Sequence, residues 1–115
     1  MEINELRDYI EICDSMISLS QEYCNLKKKS AKAETDLKII LTSKLRQIRE
    51  VKSNVGLDMA LLMLLETDDD GTLKAIYREW KENEGICDGL KKLIDAKNSK
   101  IIYIESILKY EKENT

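Results

Sequence analysis

The sequence predicts an all-α protein: a long antiparallel helical hairpin, coiled-coil-like, with a short apolar helix at the bend. Pro is absent and Gly occurs 4 times in 115 residues, so the frequent turns of a β-sandwich or barrel are not encoded. Apolar residues recur at spacings of three and four, which is the period of a helix face and not of a strand. At 13.3 kDa, residues 1–115 form a single predicted domain.

The first predicted helix runs from about residue 4 to about residue 54. One apolar stripe follows its length, and a second stripe begins on a neighbouring face, so its N-terminal part is apolar over a wide arc. Gly56 suits the left-handed position just past a helix end. The first stripe comprises Ile12, Met16, Leu19, Tyr23, Leu26, Ser30, Ala33, Leu37, Leu41, Leu45 and Ile48; the second comprises Ile3, Leu6, Ile10, Cys13 and Ile17.

A short second helix is predicted from about residue 57 to about residue 66. It is apolar all round between Met59 and Leu65, so it has to be covered on most sides. The residues from Thr67 to Gly71 form a predicted turn, in which Asp70 or Thr72 is able to cap the next helix.

The third predicted helix runs from about residue 73 to about residue 112. Its stripe keeps a heptad pattern for more than four repeats. Gly85 and Gly89 either weaken this helix or allow another helix to approach closely. The stripe comprises Ile76, Trp80, Asn83, Cys87, Leu90, Ile94, Lys97, Ile101, Ile104 and Leu108, and a flanking row comprises Leu93, Lys100, Tyr103, Ile107 and Tyr110.

Two rods of roughly 75 and 60 Å, joined by a short connection, fold back antiparallel. Each can cover only part of the other's wide apolar face, so we expect a homodimer with four long helices around a shared core. A compact monomeric bundle with a broken first helix is the alternative. The residues predicted to form the dimer or core seam are Leu62, Leu65, Trp80, Leu90, Ile94, Ile101, Ile104 and Leu108.

The charge is unevenly distributed along the chain. Residues 1–26 carry one positive and six negative side chains, whereas residues 27–52 carry nine positive and three negative ones. The basic segment either tracks a phosphate backbone, pairs with the acidic segment of a second subunit, or is a solvated helix face. It holds no aromatic residue for base stacking. The candidate contacts to a partner or nucleic acid are Lys28, Lys32, Arg46, Arg49, Glu66, Asp68, Asp69 and Asp70.

Bond chemistry is not expected. The chain has no His, so neither a serine–histidine nor a cysteine–histidine nucleophile can form within it. Its three Cys form no CxxC pair and are expected to be small buried hydrophobes. Residues 66–71 resemble half of a calcium loop, but the twelfth position is Tyr77, where a bidentate Glu is needed. We therefore predict no metal, no cofactor and no small-molecule substrate.

A bacterial cytoplasmic location is expected. The N-terminal residues lack the basic and apolar regions of a secretory signal. The longest uncharged apolar run, Met59 to Leu65, is far shorter than the roughly 20 residues of a membrane span. No membrane contact is predicted.

Five stretches within about the C-terminal three-quarters of the chain share a helical residue pattern: 30–34, 52–66, 77–80, 89–96 and 101–109. In these stretches the chain resembles small helical proteins encoded by bacteriophages and prophages. Such proteins occur among phage early genes near single-strand annealing and replication functions, and the resemblance carries over no catalytic residue. Where that family tends to show an aromatic–lysine pair, this chain has Cys87 and Asp88.

The sequence therefore leaves two alternative predictions of function. The first is a non-enzymatic, phage-encoded protein that binds and modulates or inhibits a host nucleic-acid machine, as inhibitors of defence systems do. Its acidic bend and acidic N-terminal segment would mimic nucleic acid or dock on a basic surface. The second is a DNA- or RNA-binding accessory of phage recombination or replication that uses residues 27–52.

Overall fold

A computed structural model describes residues 2–114 and confirms the all-α helical hairpin. Helix α1 spans Ile3–Val51, α2 spans Leu57–Glu66, and α3 spans Thr72–Glu113. No strand occurs among the described residues. Neither long helix is interrupted where the sequence is weakest, so the first helix is not broken as the compact-bundle alternative requires.

The end of α1 differs from the prediction. The helix ends at Val51, three residues early, just before Ser53 and Asn54, which are residue types that favour turns over helix interiors. Gly56 is in extended backbone, with φ −75° and ψ 167°, and precedes α2 as its N-cap. The prediction of a left-handed Gly56 is therefore wrong. The left-handed glycine of the described chain is Gly71, with φ 76°, just before α3.

The chain divides into two compact units, to both of which α1 and α3 contribute. Unit 2, Lys27–Gly85, contains α2 and a core to which all three helices contribute. Leu61, Met63, Leu65, Ile76, Tyr77 and Trp80 are among the partly buried residues packed on that core. Its buried residues are Leu37, Leu41, Val55, Ala60, Leu64 and Leu73.

Unit 1 consists of residues 2–26 of the chain with residues 86–114. It pairs the N-terminal half of α1 with the C-terminal half of α3 and has no third helix. Ile12 and Cys87 are the buried hydrophobic residues of its described part. None of the helices formed within residues 2–114 has a window long and apolar enough to cross a membrane.

Candidate interaction surfaces

The apolar stripe predicted for each long helix is its most buried face. On α1, Ser30, Ala33 and Leu37 are buried, and the stripe residues on either side are half-buried or buried. On α3, Cys87 is buried. The other residues of the α3 stripe are half-buried, including the predicted seam residues Leu90, Ile94, Ile101, Ile104 and Leu108.

The second stripe of α1 is not covered within unit 1. We name Ile3, Leu6, Ile10, Cys13 and Ile17 the α1 apolar row. Its four aliphatic side chains are exposed, and Cys13 is half-buried. The residues recur every three or four positions, so they form one continuous strip beside the seam.

A hydrogen bond between the helices fixes which flank of α3 adjoins this strip. The Tyr9 hydroxyl donates to Oε1 of Glu105 over 3.0 Å. Only the neutral phenol can donate this hydrogen bond. The bond to Glu105 is therefore the main reason that the pKa of Tyr9 is raised. Ile102, one turn before Glu105, is exposed on the same flank of α3.

The opposite flank of α3 carries the row Leu93, Lys100, Tyr103, Ile107 and Tyr110, which we name the α3 tyrosine row. Tyr103 and Tyr110 are 67% and 68% exposed, so neither ring belongs to the seam. In an antiparallel pair this flank adjoins the edge of α1 away from the apolar row. Three exposed carboxylates occupy that edge of α1: Asp8, Glu11 and Glu22.

The basic segment divides into engaged and unengaged side chains. Arg49 donates from Nε and Nη2 to the carbonyl oxygen of Val55, over 3.4 and 3.5 Å, and so ties the end of α1 to the connection before α2. Lys38 pairs with Glu34 at 2.7 Å. Lys28, Lys32 and Arg46 are exposed and form no ion pair within residues 2–114.

The acidic bend has a structural role at the start of α3. Oδ1 of Asp70 accepts a hydrogen bond from the backbone N–H of Thr72 over 3.0 Å. Oδ2 of Asp68 accepts a second one, from the backbone N–H of Lys74, over 2.9 Å. The bond from Thr72 holds the pKa of Asp70 below its usual value. Of the two predicted capping residues, Asp70 accepts the first backbone N–H of α3, and Thr72 is the first residue of the helix. Glu66 and Asp69 are exposed beside them.

The described part of the chain contains no candidate metal site. No group of His, Cys, Asp or Glu that could hold a metal ion occurs among residues 2–114. Asp68, Asp69 and Asp70 line a shallow groove with Lys44, whose ammonium adds a positive charge to that groove. Cys13, Cys24 and Cys87 are all free thiols, and the expectation that all three are buried holds for Cys87 alone.

Trp80 is packed on the core of unit 2. Its ring meets Tyr77 edge to face, with centroids 5.9 Å apart, and the Lys81 ammonium lies 4.0 Å above it. The predicted seam residue Leu65 is partly buried on the same core. Leu62, in contrast, is exposed, so α2 is covered on one face only and not on most sides.

Comparison with known proteins gives no relative: no protein family, curated protein or solved structure matches the chain. The resemblance to phage and prophage proteins stays a prediction from the sequence.

Sequence reasoning identified both flanking rows but included neither row among the expected contact residues. The period of the apolar pattern was the signal for them. No pattern in the sequence predicts the contact between Arg49 and Val55, because this contact depends on the path of the chain after α1.

Proposed function

We propose that this chain is a non-enzymatic interaction protein that binds a protein partner through exposed helix faces of unit 1. The observation that carries the proposal is the α3 tyrosine row. Tyrosine supplies a large, rigid contact surface at low entropic cost and is enriched in protein interfaces. Tyr103 and Tyr110 lie one row outside the seam, so the hairpin itself does not use them for packing.

The charge beside this row indicates the chemistry of the partner. Asp8, Glu11 and Glu22 are exposed on the adjoining edge of α1. Residues 1–26 contain a single basic side chain, Arg7. Tyrosines bordered by carboxylates suit a partner surface that is basic and partly apolar. A protein surface that binds nucleic acid has this character.

The proposal therefore keeps the function expected from the sequence: binding to, and modulation or inhibition of, a host nucleic-acid machine. A phage origin rests on the resemblance of the sequence. Competition with nucleic acid is the activity to expect, because both ligands would occupy one basic surface.

Affinity capture with matched variants tests the proposal. The immobilised wild-type chain is expected to retain one stoichiometric protein from its host and to release it on addition of heparin. Tyr103→Lys is expected to lose that protein. Ile39→Lys is the control, because Ile39 is 61% exposed on α1 in unit 2, close to the 67% of Tyr103.

Both variants place a lysine at a similarly exposed site on a helix, so the added charge is matched and the face that carries it differs. Equal retention by all three chains would contradict the proposed face. Release that is insensitive to heparin would contradict the basic character of the partner.

A second candidate function has one observation in its favour. Lys28, Lys32 and Arg46 are exposed without an ion pair among the described residues, so they are available to phosphates. Lys28 and Arg46 are about 27 Å apart along α1. This spacing is sparse beside the charge density of a nucleic-acid backbone.

Titration with labelled single- and double-stranded DNA at two salt concentrations separates the two functions. Salt-steep binding that disappears on charge reversal of Lys28, Lys32 and Arg46 supports the nucleic-acid function. Arg49 is left unchanged in this variant, because its contact with Val55 supports the fold. No binding at low salt removes this function.

A further inference from the structure

We propose that two copies of this chain associate through their α1 apolar rows, with the two α1 helices antiparallel and Ile10 at the two-fold axis. This proposal concerns the other flank of unit 1 and does not depend on the proposed function. Unit 1 leaves Ile3, Leu6, Ile10 and Ile17 exposed on one strip, about 21 Å long.

The two ends of the row are equidistant from its centre. Ile3 and Ile17 each lie seven residues from Ile10, so an antiparallel copy brings Ile3 of one chain onto Ile17 of the other. Leu6 then lies opposite Cys13 with an offset of one residue, about 1.5 Å along the axis. A self-complementary strip of this kind is what a two-fold interface requires, since the same residues form both sides.

The charges along the row identify a second copy as the occupant. Arg7 adjoins Ile3 and Ile10, whereas Asp14 adjoins Ile10 and Ile17, on the same side of the strip. Within one chain the two are seven residues apart, about 10 Å along the helix axis, and neither forms an ion pair among the described residues.

Antiparallel pairing about Ile10 brings Arg7 of each copy to within one residue of the level of Asp14 of the other, which allows two symmetric ion pairs. In a parallel two-fold pair the two Arg7 side chains would lie on opposite sides of the contact, so neither would reach Asp14 of the other copy. The charges therefore select both the second copy and its direction. Ile102 of α3, on the flank that adjoins the row, extends the apolar surface.

Sedimentation velocity over a range of protein concentrations tests the association. The wild-type chain is expected to reach twice its 13.3 kDa mass. Ile17→Lys is expected to remain a monomer over that range, whereas Ile39→Lys associates like the wild type. Ile17 and Ile39 are each 61% exposed on α1, so the two variants replace equally exposed isoleucines with lysine.

A charge swap tests the direction of pairing. Arg7→Asp and Asp14→Arg are each expected to weaken the dimer by about tenfold, because both symmetric ion pairs become repulsive. The double variant restores the pairs with their signs exchanged and is expected to recover wild-type association. Far-UV circular dichroism checks that all variants keep their helix content.

A wild-type monomer at every concentration would overturn the proposal, as would a dimer unaffected by Ile17→Lys. A double variant that stays as weak as the single ones would overturn the antiparallel arrangement. Capture of a different protein by a monomeric chain, lost in Ile17→Lys, would assign the row to that partner instead. Since Tyr103→Lys leaves this row intact, failure here and failure of the proposed function are distinguishable.

Discussion

Unit 2 encloses its apolar side chains with three helices, whereas unit 1 has only two. In unit 2, α2 closes over α1 and α3, and six hydrophobic residues form a buried cluster. In unit 1 the same two long helices meet without a third, and Ile12 and Cys87 are the buried hydrophobic residues of its described part.

The comparison shows what an equally apolar sequence does without a third helix. The heptad stripes of α1 and α3 continue through both units, but a helix pair buries only the sides that face each other. The flanking rows of unit 1 are consequently left at the surface. Unit 2 is thus the folded core of the molecule, and the exposed faces of unit 1 are its proposed contact surfaces.

The largest expected effect concerns the cores of the two units. Leu37 is 2% exposed, and Leu37→Ala is expected to cost about 2–5 kcal/mol of unfolding free energy through lost burial and a cavity. Leu90 is half-buried in the seam of unit 1, so Leu90→Ala is expected to cost about 1 kcal/mol. Urea unfolding followed at 222 nm compares them, and equal losses would mean that the seams are equally well packed.

Two glycines give opposite effects. Gly71 has φ 76°, so Gly71→Ala is expected to cost about 1–2 kcal/mol of stability. Gly89 lies inside α3, and a methyl group at its Cα would meet nothing within 4 Å beyond the backbone of its own helix. Gly89→Ala is therefore expected to stabilise the chain by up to about 1 kcal/mol. Thermal unfolding measures both, and a destabilising Gly89→Ala would indicate that another helix packs there.

The start of α3 gives a smaller effect that depends on pH. Asp70→Ala removes the acceptor for the Thr72 N–H and is expected to lower the urea midpoint less than Gly71→Ala does. Because the folded-state pKa of Asp70 is lowered, the stabilisation is present above the unfolded-state pKa and is lost as pH falls through the folded one. The difference from wild type should therefore shrink in acid; a constant difference would contradict the charged acceptor.

The smallest effect is expected from the exposed hydrogen bond of unit 1. Tyr9→Phe removes the hydroxyl that donates to Glu105 and is expected to lower the unfolding midpoint slightly at neutral pH. The folded-state pKa of Tyr9 is raised, so its contribution is present below the unfolded-state pKa and is lost as pH rises through the folded one. Glu105→Gln should lower the pKa of Tyr9 in an absorbance titration, and an unchanged titration would contradict this contact.

Local patterns predicted much of the fold. The spacing of α1 and α3 identified the seam, and the run of apolar residues identified α2 to its observed bounds, Leu57–Glu66. Gly56 was predicted wrongly because a glycine between two helices suits either an extended or a left-handed backbone, and composition does not distinguish them. The prediction that α2 is covered on most sides missed a signal: Asp58 and Glu66 lie four residues before and after Leu62, on the face that is exposed.

The candidate surfaces were less predictable, because charge counts do not show which charges are already engaged. Arg49 and Lys28 look alike in a basic segment, yet Arg49 binds the carbonyl oxygen of Val55 while Lys28 is exposed without an ion pair among the described residues. Asp70 and Asp69 are neighbours in an acidic turn, yet Asp70 accepts the N–H of Thr72. Such differences depend on three-dimensional distance.

Amide hydrogen exchange at low and high protein concentration tests most directly whether the faces of unit 1 are contact surfaces. Mass spectrometry of peptides resolves the two units. The account predicts that protection in residues 2–26 and 86–114 rises with concentration, and rises more than protection in residues 27–85, because association adds stability where the contacts form. Protection in unit 1 that is the same at both concentrations would contradict the account.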